Sequence, residues 1–271
     1  MGRRPDATPA GSGAEEWLAL GFEAMRTLDY ERALAYFDEA VTISPGSHAA
    51  WYSRGMAFYH LGDDPAALES FTRASQQQPQ SHLAWYGCGV TLAEMGRSDE
   101  ALEAFDRAIA LQPESYLAWL AKGMSLVEQQ RWDEALPVLQ HTLDRHPESA
   151  QAWYGVGIAH LQANRTAAAL SAFESSVALQ ADFDLAWYGK GLALLQAERL
   201  AEALEALSAA TAANPQCTLA WIRQAETLEG LGRHDAACAA YERVLQQTAA
   251  SEPWHVQAQE QLQRLRRRAN R

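Results

Sequence analysis

Tryptophan recurs every 34 residues along most of the chain, seven times without a change of spacing. The seven positions are Trp17, Trp51, Trp85, Trp119, Trp153, Trp187 and Trp221. A fixed period of this length indicates supersecondary units that stack on one another, because one such unit cannot bury its own apolar face. We therefore expect a solenoid, with any function carried by a surface that repeats.

Other residue types recur in the same register. If each tryptophan is counted as the fourth position of a 34-residue unit, glycine or alanine occupies the eighth position and alanine the twentieth. The eighth column is Gly21, Gly55, Gly89, Gly123, Gly157, Gly191 and Ala225. A large residue occupies the twenty-fourth position, in the order Phe37, Phe71, Phe105, Leu139, Phe173, Leu207 and Tyr241. Five units also carry a proline near their end: Pro45, Pro79, Pro113, Pro147 and Pro215.

Each unit is expected to contain two helices, A and B. Two stretches of about a dozen residues have apolar spacings of three and four, typical of a helix face, with a short break between them. Glycine inside a helix costs about 1 kcal/mol relative to alanine, so its recurrence in helix A predicts a close approach of the two helices. The break holds residues that tolerate the left-handed conformation ending a helix, namely Gly62, Gly96, Asn164 and Gly232. Proline at the end of the unit stops helix B.

These columns resemble the tetratricopeptide repeat (TPR) family, over residues 14–251. The resemblance implies an all-α, right-handed α-solenoid (superhelix) whose A helices line the concave side. The predicted units are 14–47, 48–81, 82–115, 116–149, 150–183, 184–217 and 218–251. Residues 1–13, rich in Gly, Pro and Ala, are expected to be disordered.

Residues 252–271 are predicted to form a capping helix with a basic tail. Trp254, Ala258, Leu262 and Leu265 form a stripe at helical spacing that could cover the open edge of the last unit. Trp254 falls one residue short of an eighth repeat, which favours a cap. The arginines that follow either complement the helix dipole in solvent or bind an acidic partner or RNA.

No motif for catalysis, a cofactor or a metal is present, so we expect a non-enzymatic protein. The histidines form no HExxH, and the three cysteines, Cys88, Cys217 and Cys238, form no CxxC pair. The formal net charge of −12 opposes binding of nucleic acid and of anionic membrane surfaces. Without an apolar run of 18 residues or a secretory signal, the expectation is a cytoplasmic chain with no membrane insertion. Lys122 and Lys190 are expected to extend along helix A with their amines in solvent.

The resemblance assigns ligand binding to the second, fifth, ninth and twelfth positions of helix A, which face the concave groove. Of these 28 positions, 24 are apolar, and the ninth column is apolar where the family often has a polar residue. An exposed apolar stripe marks a partner site, and tighter packing between A helices is the other interpretation. The candidate groove residues are Tyr52, Met56, Tyr59, Tyr86, Val90, Leu120, Met124, Val127, Tyr154, Ile158, Leu161, Tyr188, Leu192 and Leu195.

The sequence therefore predicts a protein–protein interaction scaffold. The expected ligand is an apolar or amphipathic peptide segment of a partner protein, held in the groove by side-chain burial. The alternative is a self-associating assembly protein, in which the apolar stripe or an uncovered end of the solenoid docks onto a second copy to form a homo-oligomer.

Overall fold

The computed structural model describes residues 13–269, and within that range it contains fifteen α-helices and no strand. The A helices are α1 (Ala14–Arg26), α3 (His48–Leu61), α5 (His82–Glu94), α7 (Tyr116–Glu128), α9 (Ala150–Gln162), α11 (Asp184–Gln196) and α13 (Thr218–Gly230). The B helices are α2 (Tyr30–Ile43), α4 (Asp64–Gln77), α6 (Ser98–Leu111), α8 (Trp132–Arg145), α10 (Thr166–Leu179), α12 (Leu200–Ala213) and α14 (His234–Gln247). A last helix, α15 (Pro253–Ala269), follows them. The predicted all-α solenoid of helix-turn-helix units with a terminal helix is confirmed.

The chain divides into two compact units, Met1–Gln129 and Gln130–Arg271. Inside each unit every helix packs on its neighbours in the chain. Apart from Gly13, the segment predicted to be disordered lies outside the described residues, as do Asn270 and Arg271 at the end of the basic tail.

The turn from helix A to helix B places the fifteenth position of every repeat in the left-handed region. The predicted residues Gly62, Gly96, Asn164 and Gly232 have φ of 75°, 72°, 57° and 71°. In the other three repeats the residue is Leu28, Gln130 or Glu198, with φ of 58–59°. No glycine or asparagine marks those three turns. At Leu28 and Glu198 the packing of the two helices that the turn joins imposes a conformation that a side chain disfavours.

The connection between repeats relies on two hydrogen bonds. At four junctions a serine at the thirty-fourth position caps the next helix A; Ser47, for example, accepts from the amide of Ala50 at 3.2 Å. Phe183 and Cys217, at the other two, make no such bond. The tryptophan indole then donates to the carbonyl six residues earlier, as in Trp51 to Pro45 at 2.8 Å. Six of the seven tryptophans make this bond. The tryptophan and proline columns therefore share a register because their residues meet at the junction.

Glycines on the A helices and phenylalanines on the B helices form the contact between these helices. A Cβ atom added at Gly55 on α3 would lie 2.8 Å from the ring of Phe71, and one added at Gly87 on α5 would lie 2.7 Å from the same ring. Phe71, on α4, is buried against both A helices. The predicted close approach of helices A and B is confirmed, and the ring extends the contact to the next repeat.

The terminal helix covers the last repeat with three apolar residues. Ala258, Leu262 and Leu265 are buried at 0%, 5% and 2% exposure, in one cluster with Leu228 of α13. Trp254, the first residue of the predicted stripe, is instead 40% exposed. It lies in the first turn of α15, at the margin of the covered face.

Polar contacts attach the same helix to the seventh repeat. Gln257 donates to Glu226 at 3.2 Å and Arg264 pairs with Glu229. Arg266 pairs with Glu242 of α14 at 2.6 Å. The glutamates at the ninth and twelfth positions of the last repeat therefore bind α15, and Arg264 and Arg266 of the basic tail pair with the chain itself.

Candidate functional site

The predicted groove residues lie on α3, α5 and α7 of the first unit and on α9 and α11 of the second. We call the second, fifth, ninth and twelfth positions of the repeats the A-helix face. Most of them are half-buried. Val127 and Leu161 are buried at 7% and 9% exposure, so these two contribute to packing and present little surface.

The structure brings several of these residues together over common core clusters. In the first unit one cluster around Phe71 and Phe105 is covered by Tyr52, Met56, Tyr59, Tyr86 and Val90. In the second unit a cluster that includes Phe173 and Leu161 is covered by Tyr154, Ile158 and Leu192, and Leu195 covers the next one along. Leu120 and Met124 on α7 and Tyr188 on α11 are half-buried without belonging to these sets.

The fifth-position tyrosines are partly structural. The ring of Tyr52 lies 5.6 Å from that of Phe71, and Tyr86 lies 6.2 Å from Phe105. Tyr154 repeats the contact with Phe173 at 6.2 Å. Such tilted aromatic pairs stabilise the repeat beyond area burial. The tyrosine rings at the fifth position therefore pack on the core and remain partly exposed.

Apart from Phe22, at the ninth position of the first repeat and 50% exposed, the most exposed large apolar residues of the A-helix face stand at the second position. Leu83 and Leu117 in the first unit are 42% and 50% exposed, and Leu185 and Leu219 in the second are 44% and 41% exposed. The sequence places this column on the groove, yet the predicted site residues exclude it. In the sequence each of these leucines stands directly before an alanine, as Leu83 does before Ala84, and the structure buries that alanine fully. The leucine–alanine pair is the signal that could have identified them.

The hydroxyls of Tyr52 and Tyr59 on α3 act on that of Tyr86 on α5. Burial raises the pKa of Tyr86, and the nearby hydroxyls of Tyr59 and Tyr52 raise it further. Burial also raises the pKa of Tyr59, and the carboxylates of Glu94 and Asp64 raise it further. Within residues 13–269 these three hydroxyls have no hydrogen-bond partner. They are polar groups available to a ligand on an otherwise apolar surface.

Charged pairs join consecutive repeats on the other side of helix A. The seventh position of one repeat meets the twenty-fifth of the preceding one. Lys122 binds Asp106 at 2.5 Å and Lys190 binds Glu174 at 3.4 Å. Each amine, which the sequence analysis places in solvent, pairs there with an exposed carboxylate of the preceding B helix.

A cavity of about 840 Å³ lies between α4 and α6, away from the predicted groove. Trp85, Cys88 and Leu92 line it together with charged residues such as Arg97. Burial raises the pKa of the Cys88 thiol to about 11, which keeps it protonated at neutral pH. A smaller cavity of about 350 Å³ occupies the equivalent place between α12 and α14, which makes this crevice a property of the repeat.

Within the described residues no group of three His, Cys, Asp or Glu side chains could hold a metal ion. Over the same range no helix combines the length and hydropathy needed to cross a membrane.

The family model for the tetratricopeptide repeat matches the chain six times, over residues 18–82, 65–116, 86–136, 120–184, 158–216 and 188–252. The chain belongs to the tetratricopeptide repeat family. Proteins of this family are interaction scaffolds that bind protein or peptide partners and are typically non-catalytic. A comparison with curated protein sequences gives no significant match.

Solved structures share the fold at low sequence identity. The APC/C hetero-tetramer Cut9-Hcn1 superposes with a TM-score of 0.73 at 17% identity, over 93% of this chain and 46% of that one. The chain thus spans about half the length of that relative. A tetratricopeptide repeat protein from Parabacteroides merdae gives a TM-score of 0.71 at 14% identity, over 93% and 98% of the two chains. YrrB, described as a TPR protein with an unusual peptide-binding site, gives 0.55 at 22% identity over 68% and 95%.

Proposed function

We propose that the chain is a non-catalytic scaffold that binds an apolar or amphipathic peptide segment of a partner protein along the A-helix face. The family supports binding of a protein or peptide. The face and the ligand chemistry are supported by the exposure of Leu83, Leu117, Leu185 and Leu219, which is the observation that carries the proposal.

Burial of apolar surface would drive binding on this face. Each of these leucines is already half-buried, so covering the rest of its side chain gains about 1 kcal/mol. Two such leucines in each unit, beside half-buried Tyr and Met side chains, offer enough area for a short peptide. Met56 and Met124 can adapt to different ligand shapes, since their side chains are unbranched and flexible. The tyrosine hydroxyls can orient a ligand through hydrogen bonds.

Self-association is a second candidate, and one observation favours it. At the start of the solenoid α1 exposes half of Phe22, and Leu28 in the following turn is more exposed still. A solenoid end is shaped to receive another unit. Light scattering at increasing protein concentration separates this candidate from peptide binding, because only self-association raises the mass of the protein alone.

A paired substitution in the first unit tests the peptide-binding proposal. Leu83→Glu with Leu117→Glu should leave helicity and thermal midpoint close to those of the parent, since both side chains are exposed. Binding of peptides selected on the parent from a phage-displayed random library should be lost. Ile43→Glu, on the B helix α2 and 48% exposed, is the matched control and should keep binding.

Equal binding by the paired variant and the control would contradict the proposal. The leucines are better targets than Met124 and Leu192 of the predicted groove, which are half-buried, so that a glutamate there would mix loss of binding with loss of stability.

A further inference from the structure

The A-helix face of the first unit holds one polar site within its apolar surface. Tyr52 and Tyr59 lie seven residues apart on α3, and Tyr86 lies on the adjacent helix α5. All three pack on the same core cluster, and the residue of α5 equivalent to Tyr59 is the small Ala93. The site therefore presents aromatic rings and three hydroxyls at one place.

A carboxylate stands at the edge of this tyrosine cluster. Glu94 is exposed and is the last residue of α5, where the helix dipole adds negative charge. The negative charges of Glu94 and Asp64 both raise the pKa of the Tyr59 hydroxyl. In the part of the chain that the structure describes, Glu94 has no ion-pair partner. The two carboxylates thus make the surroundings of the Tyr59 hydroxyl negative.

In the second unit an arginine stands beside a tyrosine and a carboxylate. There Arg223 of α13 pairs with Glu226 at 2.9 Å and lies near enough to Tyr188 on α11 for the two side chains to interact electrostatically. Arg223 occupies the sixth position of its repeat. On α5 and α7 of the first unit the sixth position holds Gly87 and Ala121, so the chain supplies no cation of its own there.

Arginine also contacts aromatic rings elsewhere in the first unit. The guanidinium of Arg32 lies 5.6 Å from the ring of Tyr36, and its Nε donates to the hydroxyl at 2.9 Å. Arg54 lies over the ring of Phe58 at 4.7 Å. A planar guanidinium suits stacking on a ring together with hydrogen bonds from its edge, and lysine offers only a point charge.

We propose that the tyrosine cluster with Glu94 binds an arginine side chain of the peptide ligand, with apolar residues of the same peptide on the neighbouring leucines. The inference rests on the function proposed above and names the chemistry of the partner: an apolar segment with one arginine. An acidic residue at this place would meet Glu94 and Asp64 and be repelled.

The test uses the full chain and a phage-displayed library of random peptides. Selected peptides whose binding is lost in the Leu83→Glu, Leu117→Glu variant should contain an arginine among apolar residues. Replacing that arginine by citrulline, which keeps the shape and removes the charge, should weaken binding to the parent chain about tenfold, from the sum of ion-pair and cation–π contributions.

Two variants and a control locate the effect. Glu94→Gln and Tyr59→Leu should each lower affinity for the arginine peptide by about threefold or more, and the citrulline replacement should then cost less than it does in the parent. Glu103→Gln, at an exposed carboxylate of the B helix α6, should change neither quantity.

The outcomes separate the inference from the function on which it rests. Peptides that need the leucines but carry no arginine, or that tolerate citrulline without loss, overturn the inference and leave the scaffold proposal standing. Failure to select any peptide that depends on the leucines contradicts the scaffold proposal itself. An equal citrulline effect in the parent and in Glu94→Gln places the arginine elsewhere and also overturns the inference.

Discussion

The indole Nε1 of Trp187 donates a hydrogen bond to the main-chain carbonyl of Ala181 at 2.8 Å. In the other repeats with this bond, the acceptor carbonyl belongs to a proline, as in Trp221 to Pro215 at 2.9 Å. The bond persists where the proline is absent. The tryptophan thus fixes the junction between repeats, and proline adds a preset φ angle without being required.

Replacing Trp187 with Phe tests the strength of this junction. The ring still fills space, but the donor is lost, so the free energy of unfolding should fall by about 1 kcal/mol. Urea denaturation followed by circular dichroism measures it. Trp254→Phe, at a tryptophan for which the structure shows no hydrogen bond within the described residues, is the control and should change stability by less than about 0.5 kcal/mol. Equal losses would show that ring size, and not the bond, matters.

A glycine substitution tests the contact between helices A and B. At Gly157 an added Cβ would lie 2.6 Å from the ring of Phe173, so Gly157→Ala should destabilise by about 1–3 kcal/mol through overpacking. At Gly230 the added Cβ meets Leu200 at 3.4 Å, an ordinary contact. Gly230→Ala should therefore be neutral or stabilising, as alanine is in a helix. Thermal melting compares the two, and similar midpoints would contradict the packing account.

The repeat architecture could be predicted from the sequence because its columns are enforced by close contacts. Glycine at position eight and a large residue at position twenty-four interlock, so neither can vary freely. The left-handed turns were predicted only where Gly or Asn stands, and missed at Leu28, Gln130 and Glu198, because the residues at those three positions have no preference for that conformation.

The candidate site was less predictable than the fold. Apolar residues on helix A serve the core and the surface alike, and only the three-dimensional structure separates buried Val127 from exposed Leu117. Similarly, Glu226 and Glu229 interrupt the apolar columns for a reason that lies in α15, thirty or more residues later.

Two charges introduced under α15 test the cap. Leu262→Glu with Leu265→Glu should detach the helix, because both side chains are buried against the last repeat. The uncovered edge should then associate, giving a mass by light scattering that rises with concentration more steeply than in the parent. Gln259→Glu with Gln263→Glu adds the same charge at exposed positions and should behave as the parent does. Association by both pairs would assign the effect to charge alone.

The Cys88 thiol provides a pH-dependent test of the core. Its pKa is raised by burial from 9.0 to about 11, so the folded state holds a proton that the unfolded state releases. The stability from this protonated thiol is complete below pH 9 and is lost as the pH rises towards 11. Cys88→Ala should therefore flatten the decline of the denaturation midpoint over that window. An unchanged slope would show that Cys88 does not titrate there.

Leucine-methyl NMR, in a titration of the full chain with a selected peptide, locates the bound ligand. We expect shifts at Leu83, Leu117, Leu185 or Leu219, with little change at Leu61 and Leu179, which are exposed away from the second position. Shifts confined to those two control residues, or to Leu68 and Leu92 of the cavity between α4 and α6, would contradict binding on the A-helix face.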